Sequence, residues 1–261
     1  VNTAFGWRWV FGVMGLIALT ILICTNSFLP ETKTADPAVS LRFKTIVPEY
    51  FTVLKNKLFL FYALAGGISY AGMYAYIAGS PFVFMQKFGL PASSYGWAFA
   101  FNACGLILGS QLNRLALKHY TSAKISWYAA ILLFITGLLL LVFTLTGAAG
   151  AVLTLSFTFL FLFCLGFINP NTTALALKPF TAAAGRASAL LGSLQMIAGV
   201  LASWLVSFFN NGTIIIMPAV MFGCTMLTII LLFVYQQKEK THNNQFMAID
   251  SLASFLPNTN L

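Results

Sequence analysis

The sequence predicts an all-α protein, a polytopic bundle of helices that crosses a membrane several times. The composition, the length of the apolar runs and the placement of lysine and arginine support this prediction. Of the 261 residues, 59% are hydrophobic and only 7% are charged, whereas soluble domains carry roughly 25% charged residues. So few charges could not cover the surface of a soluble protein of this length, and lipid is the solvent that tolerates such a composition.

Seven apolar runs are long enough to cross a bilayer, for which a helix needs about 20 residues. Short polar gaps separate them, and no Asp, Glu, Lys or Arg lies deep inside any run. The predicted spans are approximately Trp7–Phe28, Leu58–Phe84, Tyr95–Leu112, Ile125–Leu145, Ala149–Ile168, Gly185–Phe209 and Thr213–Tyr235.

Gaps that are rich in lysine and arginine alternate with gaps that are poor in them. The second gap has only Lys87, and the fourth and sixth have none. By the positive-inside rule the rich gaps are cytoplasmic, which places the N-terminal end outside and the C-terminal end inside. Because the net charge of +9 is scattered over these gaps, we do not expect nucleic-acid binding. The rich gaps hold Lys33, Arg42, Lys44, Lys55 and Lys57, then Arg114, Lys118 and Lys124, then Lys178 and Arg186, and finally Lys238 and Lys240.

These signals divide the chain into four parts: a first helix at 1–28, a polar linker at 29–57, a six-helix bundle at 58–236 and an irregular polar tail at 237–261. In the linker, Val47, Tyr50, Phe51 and Leu54 recur with helical spacing. This pattern favours a short helix on the membrane surface, and an irregular linker is the alternative. The chain has no initiator Met, and its first apolar run is too long for a signal peptide, so we expect that further residues precede Val1.

The run Gly185–Phe209 has a face of small residues opposite a face of bulky ones when it is projected as a helix. Small residues let helix backbones approach closely, while bulky residues face lipid. Gln195 lies in the middle of the small face, where an amide is costly unless it finds partners. It either joins helices or contacts a substrate. The small face comprises Ser188, Gly192, Gln195, Gly199, Ala202 and Ser203.

The run Tyr95–Leu112 repeats this pattern with Ala98, Asn102, Gly105 and Gly109, and Asn113 extends the face. Gly105 and Gly109 form a GxxxG pair inside the stripe, which predicts close helix packing.

The run Leu58–Phe84 is rich in aromatic residues and glycine. Tyr70 and Tyr74 lie four residues apart on one face, beside Met73. Such side chains suit a pocket for varied apolar ligands, and aromatic packing in the bundle core is the alternative. Further on, Pro170 in GFINPNTTALALKPF is predicted to end the fifth run. Together with Asn171 it marks a hinge or a cytoplasmic gate, or else a plain helix terminus.

Residues for catalysis or metal binding are not clustered in this sequence. The acids are Glu31, Asp36, Glu49, Glu239 and Asp250, all in gaps or in the tail. The two histidines lie in gaps, and the four cysteines lack CxxC spacing. We therefore predict no enzyme activity, no catalytic residues, no cofactor and no metal.

Several segments resemble the Bcr/CflA-type drug-resistance transporters of the major facilitator superfamily. They are FGWRWVF with FLPET, YAGMYAYIAGSPFVF, GLILGSQLNRL and GFINPNTTALALKPFTAAAGRASALLGSLQ. They span most of the chain in the order that the family has. Each segment is short and apolar, and the specificity lies in their order and spacing.

The resemblance implies a proton-coupled antiporter of twelve helices, whose last seven match the runs of this chain. The partners would be small-molecule drugs, protons, the bilayer and an N-terminal half that carries the coupling acid. The membrane would be a bacterial inner membrane. The resemblance and the helix faces together make Tyr70, Tyr74, Asn102 and Gln195 candidates for the substrate cavity. Arg114 remains in the segment that resembles the family's gating loop, but Gln111 and Asn113 stand near its usual acidic position, which argues against an ionic latch.

A complete seven-helix receptor or photoreceptor is the alternative, because an outside N-terminal end and an inside C-terminal end fit that topology as well. Against it, the last run has no lysine to bind retinal, and Asn169-Pro170 falls in the fifth run.

Overall fold

A computed structural model describes residues 6–29, 43–180 and 183–255. These parts of the chain are helical and contain no strand, which confirms the predicted all-α membrane bundle. A π-helical segment, Phe82–Lys87, continues the third helix. The helices are α1 (Trp7–Phe28), α2 (Phe43–Lys55), α3 (Lys57–Pro81), α4 (Ala92–Ala116), α5 (Ser122–Leu145), α6 (Ala151–Leu177), α7 (Ala184–Phe208) and α8 (Ile216–Phe255).

Every predicted span coincides with one of these helices. Within the described residues, six helices are both long and apolar enough to cross a membrane: α1, α3 with its π-helical end, α5, α6, α7 and the part of α8 up to Gln237. The remaining helix, α4, has 25 residues but is less apolar. It is less apolar because Asn102, Gln111 and Asn113, together with serines and glycines, make up much of its length.

The chain forms two compact units that divide after Ile46. In the first unit, α1 is an apolar helix of 22 residues that follows Gly6. The second unit is the bundle of α3 to α8. In it α3 is central and packs against α6, α7 and α8, while α4 and α5 pack against α6, and α5 also contacts α8.

The closest helix contact in the bundle joins α4 and α6. A Cβ added at Gly166 of α6 would lie 2.6 Å from the carbonyl oxygen of Leu106, and one added at Gly109 of α4 would collide with the carbonyl of Phe163. Gly105 lies one turn away against Phe159. Backbones approach this closely only where side chains are absent. The buried residues of α4 are Ala98, Asn102, Gly105, Gly109 and Asn113, the same five that share one face of the sequence.

The linker contains the helix α2, as its apolar spacing favours. Val53 is buried and Leu54 packs against the bundle core, whereas Val47 and Phe51 are exposed. Glu49 forms an ion pair with Arg186 in the first turn of α7. The earlier part of the linker, residues 30–42, lies outside the described residues.

Two expectations about helix ends are wrong. Helix α6 does not stop at Pro170 but continues to Leu177. Proline removes one backbone bond, and membrane helices tolerate this when other groups bind the freed carbonyls. The carbonyl that Pro170 leaves without its usual donor is that of Gly166. The neighbouring Phe167 carbonyl accepts a hydrogen bond from the side-chain amide of Asn171 (2.7 Å).

The tail that we expected to be irregular continues α8 as far as Phe255. Between Gln237 and Phe255 there is neither Pro nor Gly, and the next proline is Pro257. The helical backbone bonds are therefore not interrupted in this stretch. Polarity alone does not end a helix, which explains why the sequence pattern misled.

We expect that Gly109→Ala destabilises the bundle by about 1–3 kcal/mol, because the added methyl group overpacks the α4–α6 contact. Gly192→Ala is the matched control, since no atom lies within 4 Å of a Cβ at that position. Thermal unfolding of the purified chain in detergent measures both variants. Equal unfolding temperatures would contradict the assigned contact.

Candidate substrate-binding surface

Gln195 lies at the junction of α3, α6 and α7. Its side chain is half-buried, and its Nε2 donates a hydrogen bond to Oδ1 of Asn169 on α6 at 3.0 Å. On the third side, a Cβ at Gly67 of α3 would lie 3.6 Å from the Gln195 Cα. This distance is an ordinary van der Waals contact. Helix α3 therefore packs on the backbone of α7 here, while the amide pair joins α7 to α6.

Tyr70 and Tyr74 lie on one face of α3, with ring centroids 5.9 Å apart and nearly perpendicular planes. Tyr74 packs on α7, where a Cβ at Gly199 would lie 2.5 Å from its ring. The Tyr74 hydroxyl donates to the sulfur of Met196 at 3.5 Å. Only glycine at position 199 leaves room for this ring.

Tyr70 lines an apolar pocket of about 220 Å³ between α3, α4 and α6. Pockets for drug-sized ligands are commonly about 300–1,000 Å³, so this one would hold part of such a ligand. The π-helical segment lies beyond it on the same helix, and π-helical turns often occur near functional sites. The lining residues are Tyr70, Met73, Tyr76, Ile77, Phe99, Ala103, Leu106 and Leu162.

Asn102, the fourth predicted cavity residue, lies behind the pocket wall and is fully buried. Its Nδ2 donates to the Tyr76 hydroxyl at 2.8 Å and to Oγ1 of Thr158 at 2.9 Å. We therefore assign Asn102 to the packing of α3, α4 and α6 rather than to the cavity lining. Its Oδ1 has no partner within the described residues.

The residues predicted for a gate are only partly brought together. Asn171 donates to Oδ1 of Asn113 on α4 at 2.6 Å, and both side chains are buried. Arg114, the next residue on α4, is exposed and takes no part in this pair. Pro170 lies one residue before Asn171, in the interior of α6.

The small face of α7 is divided into a packed side and an open side. Gly199 and Ala202 are buried, whereas Ser188 and Met196 are exposed and Gly192 has no neighbouring atom within 4 Å of a Cβ. Ser188, Gly192 and Met196 follow one another at four-residue spacing. They form a row on α7 that is open along much of its length, although Gly192 is half-buried and the Tyr74 hydroxyl of α3 reaches the Met196 sulfur.

Sequence reasoning missed several residues of this surface. Thr158 and Asn169 lie on α6, whose apolar stretch showed no polar face, and Tyr76 is only one of several tyrosines in its run. Asn113 could be predicted to lie at a helix contact, because it extends the small face of α4. No group of three His, Cys, Asp or Glu suited to a metal occurs in the part of the chain that the structure describes.

Membrane helices that pack around a partly exposed polar junction are the arrangement expected of a polytopic membrane transporter. A family model supports this assignment: it matches residues 1–203 and describes the Major Facilitator Superfamily. The chain belongs to that superfamily, whose members are transporters and not enzymes. Membership favours the transporter over the seven-helix receptor.

Several curated bacterial proteins are similar to this chain. The bicyclomycin resistance protein homolog of Haemophilus influenzae is 24% identical over 229 residues, which cover 87% of this chain and 56% of the relative. The multidrug resistance protein MdtL of Klebsiella pneumoniae is 25% identical over 252 residues, covering 95% of this chain and 61% of the relative.

A third relative, the uncharacterized MFS-type transporter YdgK of Bacillus subtilis, is 29% identical over 216 residues, with coverages of 83% and 53%. The chain thus spans about half to three fifths of the length of these relatives.

We expect that Asn102→Ala destabilises the bundle by about 1–2 kcal/mol, because it removes two buried hydrogen bonds between helices. Gln111→Ala is the control on the same helix, since Gln111 is exposed. Thermal unfolding in detergent compares the two. A loss for Gln111→Ala as large as that for Asn102→Ala would argue against the network.

Proposed function

We propose that this chain is the C-terminal part of a proton-coupled drug antiporter of the Bcr/CflA type. In this assignment α1 is the last helix of the N-terminal half, residues 29–57 are the central cytoplasmic loop, and α3 to α8 form the C-terminal half. The whole transporter would export drug-sized, mostly apolar compounds across the inner membrane of a bacterium.

The observation that carries the proposal is the largely open row on α7, Ser188, Gly192 and Met196, close to the Gln195–Asn169 pair. Ser188 and Gly192 are small, and small residues on a membrane helix are typical of a surface that packs on protein or lines a cavity. Met196 adds a flexible apolar side chain, which suits contact with varied ligands. In major facilitator proteins substrates bind near the bilayer midplane between the two halves. The names of two relatives, a bicyclomycin resistance homolog and a multidrug resistance protein, agree with drug export.

In this mechanism the apolar body of the drug contacts Tyr70 and Met73 in the pocket. Gln195 and the Tyr74 hydroxyl supply hydrogen bonds that can be remade with different ligands. Apolar pockets discriminate weakly between compounds of similar size, which suits a multidrug site. Rocking of the two halves then exposes the site to either side of the membrane in turn.

Pro170 and the Asn113–Asn171 pair are the proposed cytoplasmic gate. The proline deletes one backbone hydrogen bond of α6, so bending there disrupts fewer bonds than elsewhere along the helix. The amide pair would then hold the end of α6 against α4 in one conformation and release it in the other.

Proton coupling usually needs a titratable group within the membrane. None of the five acids of this sequence lies in a predicted span. We therefore propose that the coupling acid belongs to an N-terminal half outside this sequence, and that this chain supplies binding and gating.

The test is export by the protein encoded by the complete reading frame, expressed in bacteria that lack their own drug pumps. Cells are loaded with ethidium or bicyclomycin, and retention is followed with and without a protonophore. Lower retention that the protonophore abolishes supports the antiporter. Equal retention with and without the protein overturns the proposal for these compounds.

We expect that Gln195→Leu in the complete protein changes the ranking of exported drugs with little loss of expression. The substitution keeps the side-chain size but removes the amide that faces the junction. Gln86→Leu is the matched control, because Gln86 is exposed beyond the pocket, in the π-helical segment. Resistance to a panel of drugs measures both, and an unchanged ranking for Gln195→Leu would count against a cavity role.

A further inference from the structure

A second and larger groove lies outside the proposed substrate surface. It measures about 440 Å³ and runs between α5 and α6, below the turn that joins α4 to α5. No side chain of its wall is charged. The lining residues are Tyr120, Ile125, Tyr128, Ala129, Leu132, Phe163, Cys164 and Phe167.

The rim of this groove is cationic. Lys118 and His119 directly precede Tyr120 in the turn, and Lys124 directly precedes Ile125 at the start of α5. Lys124 and Tyr128 are four residues apart, so they share one face of α5. Both lysines are exposed.

Among the side chains that the structure describes, no carboxylate forms an ion pair with Lys118 or Lys124. Glu49 forms its ion pair with Arg186 instead. The sequence has no other acid before Glu239 in the part of the chain that follows Glu49. The groove therefore combines an apolar floor with two exposed lysines that adjoin its lining residues in the sequence.

We propose that this groove binds an anionic phospholipid. One acyl chain lies along Ala129, Leu132 and Phe163, and the phosphate of the headgroup lies between Lys118 and Lys124. The charge of the rim favours an anionic headgroup over a zwitterionic one, since basic pockets between membrane helices bind such headgroups. Tyr120 and Tyr128 then lie at headgroup level, where tyrosine is enriched in membrane proteins.

A lipid fits this groove better than a second copy of the chain. Leu132, Tyr128 and Tyr120 are 40%, 66% and 58% exposed on the flank of the bundle, which faces bilayer lipid. A copy of this chain would bring its own basic turn to the rim and add positive charge there. The proposal needs only the membrane bundle, so it does not depend on drug export.

Native mass spectrometry of the purified chain in detergent tests the proposal with phosphatidylglycerol and phosphatidylcholine of identical acyl chains. We expect clear preference for phosphatidylglycerol. The double variant Lys118→Gln/Lys124→Gln should weaken phosphatidylglycerol binding by about fivefold for each lysine, hence roughly 25-fold, and leave phosphatidylcholine binding unchanged.

The matched control is Lys55→Gln/Lys57→Gln, which removes the same charge at the same end of the bundle. Leu58, which follows Lys57, and Thr121, which lies between Lys118 and Lys124, line one pocket. The two pairs of lysines are therefore at the same depth in the membrane, near the lipid headgroups. If the control weakens phosphatidylglycerol binding as much as the test variant does, the lipid responds to the overall positive charge at this end of the bundle, and the assignment to the groove is wrong. Equal binding of the two lipids by the unmodified chain also overturns the proposal.

A photoactivatable acyl chain on phosphatidylglycerol locates the lipid without any substitution. We expect crosslinks on peptides that contain Tyr128–Leu132 and Phe163–Phe167, and competition by unlabelled phosphatidylglycerol. Crosslinks spread evenly over the exposed faces of α5, α7 and α8 would overturn the assignment to this groove.

Discussion

The bundle depends on the close approach of α4 and α6 at Gly109 and Gly166. In lipid there is no hydrophobic drive between helices, so contact area and hydrogen bonds must hold them together. The two glycines supply contact area because their backbones touch where side chains would otherwise hold them apart. The approach also brings Asn113 within hydrogen-bond reach of Asn171, so the geometry of the proposed gate follows from this contact.

The two buried asparagines of α4 lie along the same interface. Asn102 connects Tyr76 of α3 to Thr158 of α6 near the middle of α4, and Asn113 meets Asn171 about three turns further on. An amide at membrane depth is costly when it is unpaired, so these bonds select one register of α4 against its neighbours. Two of the residues that make α4 less apolar than the six membrane-spanning helices, Asn102 and Asn113, are buried against protein.

Much of the architecture was predictable from the sequence because lipid imposes simple rules. Span length, cation placement and the small face of α4 each follow from a single physical constraint, and the buried residues of α4 match the predicted face. The sequence did not predict the partners across helices. Gln195 could be placed on a face, but its bond to Asn169 depends on how α6 and α7 are rotated against each other. The continuation of α6 past Pro170 was not predicted either. That continuation was missed because a proline is a weaker stop in lipid, where neighbouring groups bind the freed carbonyls. The sequence also did not predict how α7 is oriented about its own axis. Its small residues lie partly on a packed edge, at Gly199, and partly on an open edge, at Gly192.

The division of α7 has a mechanical consequence. Its packed edge rests on α3 through Gly67 and Gly199, where backbone and ring fit closely, while its polar link to α6 is a single amide pair. A helix held in this way moves with α3 and can part from α6 at the loss of one hydrogen bond. Breaking a bond between membrane helices costs about 1 kcal/mol, which thermal energy and ligand binding can supply. In the proposed mechanism, the junction around Gln195 is therefore the place where a bound molecule replaces a protein contact.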